Sequence, residues 1–152
     1  MKVRDAMLTD VYTIPSSSTY EAAAKFIYSR NISGVCVLDE EGKLVGILSE
    51  KDLFKVLYPL YGSYYKNPEI YTDFSERESK AFEIKDNPIS QYMSGAVITI
   101  EPETHILVAG ARMLAERIHR MPVVEDGKLV GVLTRSRVFN QILRSNFEVS
   151  RD

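Results

Sequence analysis

The fold is decided by an eleven-residue stretch that occurs twice in the chain. Residues 42–52 read GKLVGILSEKD, and residues 127–137 read GKLVGVLTRSR. The surrounding sequence repeats in the same order, so that residues 3–58 and 89–143 are two copies of one design. A unit of about 55 residues is close to the smallest that can form its own core. We therefore expect the two copies to pack together around one core.

Each copy shows the pattern β-α-β-β-α. In the first copy, a β-branched strand closed by Pro15 precedes a turn of serines, and Ser18 with Glu21 fits a capping box that starts a helix. Two apolar strands follow, and Ser49 starts the last helix. In the second copy, the first strand is expected at residues 97–100. The pattern predicts a mixed α/β (α+β) fold with two tandem repeats related by pseudo-twofold symmetry.

The repeats set the expected domain boundaries. The first repeat takes residues 1–58, and the second takes residues 89–145, followed by a tail at residues 146–152. Residues 59–88 form an inter-repeat insert that has no counterpart in either copy. This insert is rich in tyrosine and lacks the Gly/Ser bias of a flexible linker.

The role of the insert stays open at the level of sequence. Its tyrosines either cover the core or a subunit interface, or they form a lid over a ligand site. Residues 72–84 are expected to contain a charged helix whose apolar residues Phe74, Ala81 and Phe82 face inward.

Composition excludes several classes of protein. The net charge of the 152 residues is −2, without the clustered Lys and Arg that a bulk nucleic-acid binder needs. The longest apolar runs are shorter than the roughly 20 residues that cross a bilayer, and the first residues do not resemble a signal peptide. Cys36 is the only cysteine, so an intrachain disulfide is excluded. We expect a cytoplasmic protein that does not bind membranes.

Catalytic motifs are missing from the sequence. It contains no phosphate-binding loop of the Walker type, no zinc-protease motif and no nucleophile elbow. His105 and His119 are the only histidines, and Cys36 falls in a strand expected to be buried, where a thiol is inert. We therefore expect neither an enzyme nor a metal site nor a cofactor.

The end of the repeated stretch can be interpreted in two ways. Ser49 and Asp52 are three residues apart at the start of a helix, on one face. A carboxylate there can accept hydrogen bonds from both ribose hydroxyls, as an acidic residue does in dinucleotide-binding folds. The same spacing fits a helix N-cap with a first-turn acid. Gly46, in the strand that leads into this helix, would let the backbone approach a planar base.

The order of motifs resembles a known family. Two copies in register of apolar-Pro-Val-Val-acidic, Gly-Lys-Leu-Val-Gly and Leu-Ser/Thr-x-x-Asp look like a pair of cystathionine β-synthase (CBS) domains, over everything except the insert and the tail. Such pairs are regulatory modules that bind adenosine-containing ligands, commonly AMP, ADP, ATP or S-adenosylmethionine, and usually do no chemistry.

The resemblance implies a stand-alone sensor that reports ligand binding to an unidentified effector protein through a conformational or oligomeric change. Because such pairs often associate two by two, and because the helices ending in Leu57 and Leu143 carry apolar stripes, we expect a homodimer. The alternative is a structural adaptor with vestigial sites that acts through protein contacts.

In similar pairs, the Ser/Thr-x-x-Asp of one repeat works with the first strand and the adjoining loop of the other. His119 and Arg120 then match positions that contact phosphate, for which Arg offers a fixed fork of donors. Backbone groups around Ala96 and Met121 would contact the adenine edge. The resemblance thus implies a ligand site made of Gly46, Ile47, Ser49, Asp52, Gly95, Ala96, Val97, Ile118, His119, Arg120, Met121 and Pro122.

The second site departs from the family pattern. Arg137 stands where the first copy has Asp52, and the loop opposite carries no basic residue. Arginines at positions 135 and 137 oppose the helix dipole, so either this site binds phosphate differently or they point to solvent. We expect the site to be empty or altered. Its residues would be Val11, Ser33, Gly34, Val35, Thr134 and Arg137.

Overall fold

In the computed structural model, which describes residues 1–58, 62, 64–67, 69 and 74–149, both repeats contain a β-hairpin followed directly by a helix. This confirms the predicted mixed α/β class with two repeats. The described residues belong to two compact units. We call Thr13–Gly95 the Asp52 unit, and Met1–Tyr12 together with Ala96–Asp152 the Arg137 unit.

The Asp52 unit contains a three-stranded sheet of β1 (Thr13–Pro15), β2 (Gly34–Leu38) and β3 (Leu44–Ser49), in that order. Strand β1 runs parallel to β2, and β2 runs antiparallel to β3. One short 3-10 turn, Lys55–Leu57, follows helix α2 (Glu50–Phe54), and another, Ile89–Gln91, lies near the end of the unit. The regular elements are β1 Thr13–Pro15, α1 Tyr20–Ser29, β2 Gly34–Leu38, β3 Leu44–Ser49, α2 Glu50–Phe54 and α3 Phe74–Glu83.

The Arg137 unit starts with a 3-10 turn and contains an antiparallel hairpin between two helices. The hairpin loop is Asp126-Gly127, with φ values of 49° and 76°, which suits a tight two-residue turn. The elements are the 3-10 turn Val3–Asp5, α4 Ile106–Ala115, β4 Arg120–Glu125, β5 Lys128–Thr134 and α5 Arg135–Asn146.

The strand predicted at residues 97–100 is reduced to one parallel bridge between Ile100 and Val123. The reason lies in β4. In the first copy, Cys36 occupies the pairing position, but in the second copy Pro122 takes its place. Proline has no N–H to donate to the neighbouring strand, so the ladder cannot extend beyond Ile100.

The first residues of each repeat, 3–8 and 89–94, pair with the hairpin of the other repeat, and we call them the exchanged segments. Leu8 exchanges two backbone hydrogen bonds of 2.8 and 2.9 Å with Val132, and Ser94 exchanges two of 2.9 and 3.0 Å with Ile47. The compact units therefore divide the chain differently from the sequence repeats. The boundaries predicted from the repeats stay a prediction.

Each unit has its own cluster of buried residues, in contrast to the single shared core that we expected. The exchanged segments explain the difference, because Val3 and Ala6 complete one cluster and Ile89 completes the other. Each unit thus buries more apolar surface than a repeat could bury alone, which suffices for a core.

The cap of α1 lies one residue later than predicted. Thr19, not Ser18, is the N-cap, and its hydroxyl accepts a hydrogen bond from the backbone N–H of Ala22 at 3.2 Å. Glu21 takes no part in a capping box. It binds Lys25 one turn later, and this hydrogen bond lowers the pKa of Glu21.

The charged helix predicted within residues 72–84 is confirmed as α3, but the orientation of its aromatic residues was wrong. Ala81 and Ile84 pack against the buried cluster, whereas Phe74 and Phe82 are 70% and 72% exposed. Phe82 is exposed because it lies about 100° around the helix from Ala81. Phe74 is exposed because it lies about two turns before Ala81 along the helix.

The tyrosines of the insert do not cover the core where the structure describes them. Tyr64 and Tyr65 are exposed and contact each other edge to face, with ring centroids 5.3 Å apart. Tyr61 and Tyr71 lie outside the described residues. The roles in a subunit interface or a lid stay predictions.

Candidate functional site

Ser49 and Asp52 form a capping box at the junction of β3 and α2. The Ser49 hydroxyl accepts a hydrogen bond from the backbone N–H of Asp52 at 3.2 Å. In return, Oδ2 of Asp52 accepts hydrogen bonds from the backbone N–H and the hydroxyl of Ser49, both at 2.8 Å. The interpretation as an N-cap is therefore confirmed.

Capping does not use the whole carboxylate. The hydrogen bonds of the Asp52 carboxylate among the described residues both reach Oδ2, and none reaches Oδ1. The side chain is half-buried, where a hydrogen bond is screened less than at the surface. The capping box thus orients a carboxylate that keeps acceptor capacity for ribose hydroxyls.

The glycine on β3 makes room for a methionine of its own unit. A side chain at Gly46 would collide with the thioether of Met93, which lies next to the bridge between Ser94 and Ile47. Gly95 directly follows Ser94, the residue that pairs with Ile47. The contact of Gly46 with a ligand base stays a prediction.

The candidates in the Arg137 unit differ in accessibility. His119 and Ala96 are exposed, and Arg120, Val97 and Ile118 are half-buried. The side chains of Met121 and Pro122 are fully buried, so that only their backbone groups are available to a ligand. The carbonyl of Pro122 already accepts a hydrogen bond from the backbone N–H of Ile100 at 3.0 Å.

The loop before each hairpin lies beside the capping hydroxyl of its own repeat. Arg120 and Thr134 are strand partners, and the carbonyl of His119 accepts the first N–H of α5 at 3.0 Å. Residues 33–34 stand in the same relation to Ser49. The family resemblance assigns each loop to the ligand site of the other repeat, and this assignment stays a prediction.

Arg137 has a partner that the sequence did not indicate. Thr134 caps α5 by accepting a hydrogen bond from the backbone N–H of Arg137 at 3.3 Å, as Ser49 does for α2. The Arg137 side chain, however, donates from Nε to the carbonyl of Ala6. We expected this side chain to face a phosphate or solvent. It instead fastens the exchanged segment to α5, and the carbonyl dipole offsets the unfavourable charge at the helix start.

The other residues of the predicted second site differ in how exposed their side chains are. Val35 is buried in β2, so its side chain belongs to the core, and Val11 is half-buried. Ser33 is exposed, and Gly34 pairs with Ser49. Whether this second site takes a ligand stays a prediction.

Two kinds of feature are absent from the described residues. No group of three or more His, Cys, Asp or Glu side chains in the described part of the chain could hold a metal ion. Among the helices that can be described, none is long and apolar enough to cross a membrane.

The arrangement of two hairpins, each followed by a Ser/Thr-capped helix, agrees with a comparison to known families. The family model of the CBS domain matches residues 3–59 and 89–144. This chain belongs to the CBS-domain family. The resemblance predicted from the sequence motifs is thereby confirmed.

Known CBS proteins are similar to this CBS pair over most of its length. The chain is 29% identical over 143 residues to the chloroplastic CBS domain-containing protein CBSX1 of Arabidopsis thaliana, covering 89% of this chain and 60% of that protein. It thus spans less than two thirds of the length of this relative. The solved CBS domain of a membrane protein from Sphaerobacter thermophilus is 31% identical, with a TM-score of 0.70, covering 92% of this chain and 86% of that one.

A solved structure of CBSX2 in complex with AMP has a TM-score of 0.72 and 24% identity, and covers 95% of this chain and 97% of that one. At this identity, the similarity shows a shared fold.

Sequence reasoning missed three structural residues near the candidate site. Met7 and Met93, which face Gly131 and Gly46, carried a signal, because both the methionines and the glycines recur with the repeat. Tyr20, whose hydroxyl binds the carbonyl of Leu53 in α2, carried none, because the second copy has an isoleucine in its place.

Proposed function

We propose that this CBS pair senses an adenosine-containing ligand, with AMP as the first candidate, and that Asp52 binds the ribose. The observation that carries the proposal is the geometry of the Asp52 carboxylate, which the capping box orients while Oδ1 stays outside the hydrogen bonds of the described residues. A charged acceptor in a half-buried position gives strong hydrogen bonds to hydroxyls. The AMP complex of CBSX2 supports the choice of ligand.

The remaining contacts follow the same proposal. Arg120 and His119 bind the phosphate, and backbone groups near Ala96 and Met121 contact the adenine. A single guanidinium fork suits one phosphate group, which favours AMP over ADP, ATP and S-adenosylmethionine. Because Arg137 is engaged by the carbonyl of Ala6, we propose one strong site per chain.

Calorimetry with AMP, adenosine, ATP and S-adenosylmethionine tests the proposal. The substitution Asp52→Asn keeps an oxygen for the N-cap but removes the charge, and should weaken AMP binding about ten- to a hundredfold, since charge-assisted hydrogen bonds contribute about 1.5–3 kcal/mol. Asp39→Asn is the matched control, because Asp39 likewise accepts two hydrogen bonds, both from backbone N–H groups within the hairpin turn. AMP binding that Asp52→Asn leaves unchanged, or two equal sites per chain, would refute the proposal.

The contribution of Arg120 can be separated from that of Asp52. Arg120→Ala should weaken the binding of AMP more than that of adenosine, since only AMP carries a phosphate. Equal losses for both ligands would contradict phosphate binding by Arg120.

The output of the sensor is proposed to be a change in conformation or in oligomeric state, passed to an effector protein that is not identified. AMP can shift such a state only by binding its forms unequally. A homodimer is supported by Phe54 and Phe139, which occupy equivalent positions on α2 and α5 and are 58% and 59% exposed. Light scattering at tens of micromolar checks the dimer, and Phe54→Glu should shift it toward the monomer.

The structural adaptor remains the rival proposal. A ligand at 100 times its Kd stabilises a protein by about 2.7 kcal/mol, whereas an adaptor with vestigial sites would not respond. Thermal unfolding with and without AMP therefore distinguishes the two. A sensor that does no chemistry also returns AMP unchanged after incubation, which chromatography can check.

A further inference from the structure

The helix that carries Asp52 depends on contacts at both of its ends. α2 has five residues and passes directly into the 3-10 turn Lys55–Leu57. A helix of this length does not form alone, so its position is set by tertiary contacts. Its first turn is held by the capping box. Its last carbonyl groups lack partners within the helix and need them elsewhere.

Tyr20 supplies such a partner. Its hydroxyl donates to the carbonyl oxygen of Leu53 at 3.0 Å, and the tyrosine is only 7% exposed. Burial raises the pKa of the Tyr20 hydroxyl, and Tyr92 adds to the rise, so the group stays protonated and able to donate at neutral pH. Leu53 is itself buried, one residue after Asp52.

Residues near the end of the insert fix the position of Tyr20. The ring of Tyr92 packs edge to face against the ring of Tyr20, with centroids 5.5 Å apart. Asn87 donates its side-chain amide to the Tyr92 hydroxyl at 2.9 Å, and its carbonyl accepts the backbone N–H of Tyr20 at 2.8 Å. Asn87 therefore holds both the backbone of Tyr20 and the ring that packs against it.

The insert also supports the end of α2 directly. Ala81 and Ile84 pack against the same buried cluster as Val56, which lies in the 3-10 turn after α2. The second repeat has no equivalent arrangement, because Ile106 stands in the place of Tyr20. The contacts that hold α2 thus occur in the unit that contains Asp52.

We propose that Tyr20 is a positioning residue for the adenosine site. Through the carbonyl of Leu53 it holds α2 in the position that presents Asp52 to the ribose, and Asn87 and Tyr92 hold Tyr20 in turn. The insert is thereby coupled to the ligand. This inference rests on the proposed function, and by thermodynamic reciprocity a ligand on Asp52 stabilises the packing of the segment around residues 87–92.

The substitution Tyr20→Phe removes the hydroxyl and keeps the ring. Hydrogen exchange of the ligand-free protein should become faster at the amides of Asp52 and Leu53, and stay unchanged in β2. Calorimetry should find AMP bound about three- to tenfold more weakly, because a smaller fraction of molecules holds α2 in the binding position. Tyr28→Phe, the same change at an exposed position of α1, is the matched control and should alter neither measurement.

A double-mutant cycle distinguishes positioning from a general loss of stability. In an Asp52→Asn background, Tyr20→Phe should weaken AMP binding less than twofold, because the group that it positions no longer carries the charge. An equal loss in both backgrounds overturns the inference, and so does unchanged AMP affinity in Tyr20→Phe. If the wild-type protein does not bind AMP, adenosine, ATP or S-adenosylmethionine, the proposed function fails, and the inference fails with it. Exchange data that show faster opening of α2 would then establish a structural role for Tyr20 only.

Discussion

Replacing the two equivalent glycines by alanine should have unequal costs. Gly46 and Gly131 occupy the same position in β3 and β5, each beside the methionine of an exchanged segment. A Cβ at Gly131 would lie 2.7 Å from Sδ of Met7 and 2.9 Å from the carbonyl oxygen of Leu8. A Cβ at Gly46 would meet only Met93 among its three nearest atoms. A methionine side chain can move aside, whereas a paired backbone cannot.

The magnitude follows from what must move. To reach an ordinary contact distance, Leu8 has to retreat by about 0.5 Å, which strains the two hydrogen bonds that it exchanges with Val132. Overpacking costs roughly 1–3 kcal/mol, two weakened hydrogen bonds cost up to about 1 kcal/mol each, and the stiffer unfolded chain returns about 0.4–1 kcal/mol. We expect Gly131→Ala to destabilise the protein by about 2–3 kcal/mol and Gly46→Ala by at most about 1 kcal/mol.

Urea unfolding measures both values. The chain has no tryptophan but nine tyrosines, so tyrosine fluorescence and circular dichroism are the suitable probes. Hydrogen exchange at Leu8 and Val132, compared with Ile47 and Ser94, reports which bridge has opened. Equal destabilisation by the two substitutions, or a larger effect of Gly46→Ala, would refute the reasoning.

Two further predictions concern single side chains. Arg137→Ala removes a charged hydrogen-bond donor, which costs about 1.5–3 kcal/mol, and it also removes a cation whose repulsion at the helix start costs about 0.3–1 kcal/mol. The free energy of unfolding should therefore fall by about 1–2 kcal/mol. The AMP affinity measured by calorimetry should stay within about twofold of wild type. Weaker AMP binding with unchanged stability would show instead that Arg137 binds the ligand. Burial raises the pKa of Tyr20 above its ordinary value of 10.0, so the folded protein keeps a proton that the unfolded chain releases, and stability should fall as the pH rises from the unfolded to the folded pKa. Tyr20→Phe should show a smaller loss in unfolding experiments between neutral pH and about pH 11, and an identical loss would contradict this assignment.

The features that the sequence predicted are those with a local cause or a repeated one. The hairpin containing Gly127 and the helix start at Ser49 follow from a turn and a cap that act over a few residues. The helix within residues 72–84 follows from its spacing of apolar residues. Its orientation does not, because Phe74 and Phe82 were assigned by hydrophobicity alone, without knowing where the buried cluster ends.

The features that the sequence did not predict depend on partners that are distant along the chain. The bridge from Leu8 to Val132 joins opposite ends of the sequence, and no local pattern indicates it. The bond from Arg137 to the carbonyl of Ala6 follows from that exchange. Pro122 did carry a signal, since a missing N–H limits pairing, but its consequence requires knowing which strand lies beside it.

The equivalent residues Asp52 and Arg137 show how two copies of one backbone use the same position differently. Both are the third residue of a helix whose N-cap hydroxyl accepts their backbone N–H. The capping hydroxyl is thus needed by the fold in either copy and cannot by itself indicate a ligand. The side chain is what differs. Arg137 is used within its own unit, on the carbonyl of Ala6. Asp52 keeps an oxygen outside the hydrogen bonds of the described residues, and Tyr20 and the insert support the helix that holds it. Because the capping box engages Oδ2 and leaves Oδ1 as an acceptor on an oriented, half-buried carboxylate, Asp52 is the side chain that we propose for ribose binding.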